Sequence, residues 1–161
     1  MNIAFYAPLK PPDHPVPSGD RQMARALMAA LRRAGHDLEI VSTLRSFLPE
    51  PEMDAAAALV VLARAEVDRI DALWRRTAKP DYWFTYHPYY KAPDLIGPGL
   101  ASRFRIAYAT AEASYSKRRD VDGWSTTQAS VVAAVKQASV NFCFTRRDRD
   151  GLAEAAPPGP A

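Results

Sequence analysis

Five short apolar, β-prone runs alternate with helical patterns along this chain, and that alternation restricts the fold more than any other feature. Asn2 to Ala7 and Asp37 to Ser42 ("DLEIVS") are strand-length runs bounded by turn residues. Between them Ala24, Leu27, Met28 and Leu31 recur at helical spacing, with Arg25, Arg32 and Arg33 on the other side. Ser18 or Asp20 can cap the first turn of this helix, and Gly35 suits the position just after its end. A strand, helix, strand unit of this kind makes its two strands parallel neighbours.

The same reading continues to the end of the chain. From Asp54 to Ala78 the pattern is helical, with Val60, Ala63, Val67, Ile70 and Trp74 on one stripe, and Pro80 marks its end. "DYWFTYH" (Asp81 to His87), "FRIAYAT" (Phe104 to Thr110) and "SVNFCFT" (Ser139 to Thr145) predict three more strands. Helices are expected over Ala92 to Arg103, over Thr126 to Ala138, and from Arg146 onward. The fold class is therefore α/β, an open, mostly parallel sheet with helices on both faces. Such sheets bind ligands beyond the carboxyl ends of their strands, where the strand order reverses. The loops to inspect for chemistry are Pro8 to Asp20, His87 to Gly99, Ala111 to Trp124 and the turn at Thr145.

A chain of 161 residues that is 48% hydrophobic supports one well-buried core. One domain is expected over residues 1–154, followed by a proline-rich tail or linker over 155–161. The 21 basic and 18 acidic residues leave a formal charge of +3, too small a surplus to demand a nucleic-acid partner. A single cysteine, Cys143, forms no internal disulfide, and no apolar run reaches membrane-spanning length. A cytoplasmic setting is expected. No cluster of His, Cys and acidic residues has metal-ligand spacing, so no metal is expected.

Three loops carry candidate chemistry. In "DHPVPSGDRQMARAL", Ser18, Gly19 and Asp20 precede a helix, where a glycine lets backbone N–H groups and the positive helix end approach an anion. Neither a G-x-G-x-x-G pattern nor a P-loop is present, and a plainly capped helix start explains the stretch as well. "YHPYYKAPD" sets His87, Tyr89, Tyr90 and Lys91 at a strand end, where ring faces suit the apolar side of a pyranose and polar tips its hydroxyls. "AEASYSKRRDVDGW" places Glu112, an orienting group or base, near Tyr115, Lys117, Arg118 and Arg119. Loop packing and a solvated charge run paired with Asp120 and Asp122 are the alternatives for these two.

Taken in order, the segments resemble the N-terminal domain of family-four glycosyltransferases of the GT-B architecture, in which two Rossmann-like domains face each other. "IAFYAPLKPPDHPVPSGDRQMARALMAALRRAGHDLEIVS", "PDYWFTYHPYYKAPDLIGPGLA", "YATAEASYSKRR" and "ASVNFCFTRRDRDGL" carry the resemblance. The first and third stretches look particularly like one bacterial subgroup. The resemblance implies one Rossmann-like half of a GT-B enzyme, transferring a sugar from a nucleotide-sugar co-substrate to a hydroxyl acceptor, a sugar or a lipid-linked glycan. Anomeric configuration would be retained and no metal or bound cofactor required.

By that resemblance Ser18 and Gly19 match the glycine-rich first loop near the donor diphosphate, where this chain has "SGD" in place of a glycine pair. His87 matches a histidine of the acceptor cleft. Glu112 falls where many relatives place a histidine that interacts with the transferring sugar, and is the candidate catalytic residue. Tyr115 and Lys117 would line the cleft beside it. In that family a C-terminal domain grips the nucleotide sugar, and its Arg–Lys pair and spaced glutamates are not found in this sequence. The expectation is an acceptor-side half, nearly inactive alone, that needs a donor domain in cis or in trans. The competing expectation is a non-catalytic binding module that works with a partner chain. The basic "SKRR" segment also fits peripheral contact with the inner membrane face.

Overall fold

A computed structural model describes residues 1–156. The elements are β1 (Asn2–Tyr6), α1 (Gly19–Arg33), β2 (Asp37–Ile40), α2 (Met53–Trp74), β3 (Tyr82–Tyr86), α3 (Gly97–Phe104), β4 (Ala107–Ala111), a 3-10 turn (Lys117–Asp120), α4 (Ser125–Gln137), β5 (Val140–Phe142) and α5 (Arg146–Ala155). Of the tail expected over 155–161, Ala155 closes α5 and 157–161 lie outside the described residues.

The five strands form one all-parallel sheet in the order β2-β1-β3-β4-β5. Successive residues of each strand alternate between its two faces. Ala4, Tyr6, Trp83 and Tyr108 meet Ala63, Ile70 and Trp74 of α2, Leu100 of α3 and Ala134 of α4 on one face. Ile3, Phe5, Phe84, Tyr86 and Ala109 meet Ala24 and Met28 of α1 on the other. Both faces of the sheet are thus packed, which is why its strands read as nearly continuous apolar runs. The fold is α/β with a Rossmann-like open sheet.

The chain leaves β1 for β2 on one side of the sheet and reaches β3, β4 and β5 on the other. The order therefore reverses between β1 and β3, and the connections that follow these two strands lead to helices on opposite faces of the sheet.

α1 begins where Ser18 accepts a hydrogen bond from the Arg21 backbone N–H, so Ser18 is the cap and Asp20 is free for another partner. Gly35 follows the end of α1 at φ +85, the left-handed conformation that favours glycine. α2 ends at Trp74, earlier than Pro80 required, and its buried stripe is Leu59, Ala63, Ile70 and Trp74. Val60, expected on that stripe, is turned outward and 39% exposed.

The region after β3 differs most from the sequence reading. α3 starts at Gly97 rather than near Ala92, because Asp94 turns the chain first. The Asp94 side chain is buried and accepts from the backbone N–H groups of Ile96 and Gly97, from the Trp83 indole, and from the Thr85 and Tyr108 hydroxyls. Burial pushes its carboxyl up, and the hydrogen bonds from Thr85, Gly97, Ile96 and Tyr108 act against that shift. Phe104, expected to open a strand, instead closes α3 and packs edge-on against Trp74. Arg105 then takes a left-handed conformation and β4 begins at Ala107. Among the described residues no helix is long and apolar enough to cross a membrane.

Candidate functional site

The loop after β1 and the loop after β3 meet at the point of strand reversal. Asp20, in the first turn of α1, places its Oδ1 3.0 Å from Nδ1 of His87, the residue that follows β3. His87 has φ +56 and Glu112, the residue that follows β4, has φ +57. Both are non-glycine residues in left-handed backbone at the ends of neighbouring parallel strands, a conformation that costs energy and that clusters at binding sites. The backbone fixes both: the His87 N–H donates to the Ala111 carbonyl and the Glu112 N–H to the Phe142 carbonyl, each at 2.8 Å. The sheet's hydrogen-bond ladder thus runs one residue past β3 and β4.

Tyr86 lies beneath these two positions and is buried. Burial, then hydrogen bonding to Glu112 and its charge, then the charge of Asp20, push the Tyr86 phenol far above its ordinary value. Tyr86 opens the stretch "YHPYYKAPD", whose three tyrosines the sequence sets at the strand end.

From His87 a file of rings extends along the carboxyl edge of the sheet. Tyr89 stacks on His87 with centroids 5.2 Å apart, Tyr90 meets Tyr89 edge-on, and Trp124 meets Tyr90 edge-on. Burial first, and the neighbouring Tyr90 and Asp20 after it, push the Tyr89 phenol up to about 12, while Arg45 acts the other way. Tyr90 carries the Arg119 guanidinium over its face at 4.6 Å, and Trp124 carries the Lys91 ammonium at 5.2 Å. Lys91 also donates to the Pro49 carbonyl. Tyr89 and Tyr90 therefore continue from His87 to Trp124 as one file of rings, with Lys91 over the last of them.

Two expected members go elsewhere. Tyr115 packs with Leu152 of α5 and Val131 of α4, and its hydroxyl donates to Asp120. Lys117 lies 3.5 Å from Glu154 of α5. Neither is held by Glu112. Arg119 pairs with Asp122, so part of the basic run is a charge-paired turn.

The first loop also acquires a definite character. Gly19 is exposed, and a Cβ added there would meet nothing within 4 Å, so packing does not require glycine at this position. Asp20 puts a carboxylate at the positive end of α1. An incoming phosphate would face that carboxylate, whereas a hydroxyl could donate to it. Two carboxylates, an imidazole and two phenols beside a stacked ring wall make a set suited to hydroxyl-rich ligands. Among the described residues no group of three or more His, Cys, Asp or Glu side chains is placed to hold a metal. No known family model and no curated protein matches this chain.

Proposed function

We propose that this domain is the acceptor-side half of a nucleotide-sugar-dependent glycosyltransferase. The observation that carries the reading is the pairing of Asp20 with His87 at the point where the strand order reverses, with Glu112 in the same left-handed conformation at the end of the neighbouring strand β4. In this reading a sugar or lipid-linked hydroxyl lies in the crevice, with Asp20 and Glu112 accepting its hydrogen bonds. His87, held by Asp20, orients the reacting hydroxyl, and the ring wall from Tyr89 to Trp124 packs on the apolar face of the acceptor.

Ser18 and Gly19 stand beside the crevice at the start of α1, where the backbone N–H groups not used by the cap could face a donor. The cationic groups that meet the diphosphate would come from a donor domain, in cis or in trans, and the protein alone would turn over little substrate. The reaction needs no metal in this scheme, and the setting is cytoplasmic.

A second reading, a binding module completed by a partner chain, is favoured by Phe142 and Phe144, which stand 47% and 44% exposed at the end of β5. Amide resonance mapping separates the two. Titration of nitrogen-labelled protein with a panel of simple glycosides and sugar nucleotides is expected to shift Asp20, His87, Tyr89 and Glu112 with the glycosides. Absence of any such shift at millimolar glycoside would overturn the acceptor-side reading.

A further inference from the structure

The N-terminal half of α2 presents apolar side chains to solvent. Met53 is 87% exposed, Val61 64% and Leu62 55%, and Ala57, Ala58 and Ala65 beside them are exposed as well. From Ala55 to Ala65 the only charged residue is Arg64. Farther along the same helix Asp68 and Arg69 are exposed, the ordinary composition of an outward helix face. The apolar strip is therefore confined to about three turns and has charged groups at its two ends: Asp54 at the start and Arg64 near the finish.

We propose that this strip is a self-association surface, on which α2 packs antiparallel against α2 of a second copy of this chain. Charge decides the occupant. Asp54 and Arg64 are both exposed, and among the described residues neither takes part in an ion pair. A two-fold axis crossing α2 near Leu59 and Val60 brings Asp54 of each copy beside Arg64 of the other. The contact is thus self-complementary, and the ion pair occurs twice. Ala57, Ala58 and Ala65 allow the helix axes to approach, while Val61 and Leu62 fill the seam. An anionic bilayer fits poorly, because the exposed carboxylates of Glu50, Glu52 and Asp54 lie at one end of the strip.

Sedimentation equilibrium over a range of concentrations tests this directly. A monomer–dimer equilibrium is expected, and Val61→Glu, which alters an exposed position, should abolish it while leaving the circular dichroism spectrum unchanged. Asp54→Arg and Arg64→Glu should each weaken the dimer about tenfold or more, since each reversal places like charges together at both ends. The double reversal should restore the dimer to within about threefold of the parent. A monomer at every concentration, a dimer indifferent to Val61→Glu, or a double reversal no better than the single ones would each overturn the proposal. So would co-sedimentation with phosphatidylserine vesicles that competes with dimer formation.

Discussion

The Asp20 carboxylate and the His87 imidazole stand 3.0 Å apart, joining the first turn of α1 to the end of β3 across 67 residues of sequence. Their side chains keep 35% and 23% of their exposure, so water screens the pair and its contribution to stability is at most about 1 kcal/mol. Asp20→Ala and His87→Ala should therefore melt within a few degrees of the parent and yet lose the glycoside-induced resonance shifts. A loss of about 3 kcal/mol or more, the size seen when a buried pair is broken, would instead make the pair a strut of the fold. Thermal melting and the glycoside titration on the same samples decide between the two.

Glycine is needed at position 97 and dispensable at position 19. A Cβ on Gly97 would overlap the Trp83 indole nitrogen and the Asp94 carboxylate, in the network that fixes α3 to β3 and β4. Gly97→Ala is expected to cost on the order of 1–3 kcal/mol, as overpacking of a filled core does. Gly19→Ala meets open space in the first turn of α1, and should be neutral or stabilising by up to about 1 kcal/mol. Chemical denaturation of the two variants should place them on opposite sides of the parent.

The strands and helices were legible in the sequence because their patterns are local. Ile3 and Phe5 on one face and Ala4 and Tyr6 on the other already read as a run packed on both sides. The start of α3 was not legible, because it depends on Asp94 collecting donors from β3, β4 and the helix itself. Five residues scattered over that region cannot announce a shared partner in one dimension. The site shows the same division. His87, Tyr89, Tyr90 and Lys91 lie within five residues, and position after a strand was enough to single them out. Asp20 was noticed for the helix start, but its pairing with His87 depends on the strand order. Tyr115 and Lys117 have partners on α5, Leu152 and Glu154, that nothing near residue 115 in sequence reveals.

A pH dependence follows from Glu66. Hydrogen bonds from Arg69 lower its carboxyl most, burial opposes them, and a hydrogen bond from Ser42 at 2.6 Å adds to the lowering. Arg69 in turn donates to the Val41 carbonyl, so the cluster ties α2 to the end of β2. A carboxyl lowered by folding contributes stability that is complete above its unfolded value, roughly 4.3 for glutamate, and that is lost as pH falls through the lowered folded value. Glu66→Gln should melt below the parent at neutral pH, and the gap between them should close as the pH drops through that window. Asp71, lowered by Arg75 and Arg103, acts in the same direction in both proteins and cancels in the comparison. A gap that stays constant from neutral to strongly acid pH would show that the Glu66 charge contributes nothing.

The left-handed backbone at Glu112 separates a site residue from a packing residue. An L-residue at φ +57 carries a penalty of about 1 kcal/mol that glycine does not, and the penalty is larger for a β-branched side chain. Were Glu112 present for the fold alone, its contact with Tyr86 would have to outweigh that penalty. Glu112→Gly is expected to melt at or above the parent and Glu112→Val clearly below it, with both losing the glycoside-induced shifts at His87 and Tyr89. That outcome would mean that the chain keeps a strained glutamate at the end of β4 at a cost to its own stability. The carboxylate would then act on a ligand rather than on the fold. A Glu112→Gly variant that melts well below the parent would reverse the assignment and make the Glu112–Tyr86 contact a structural one.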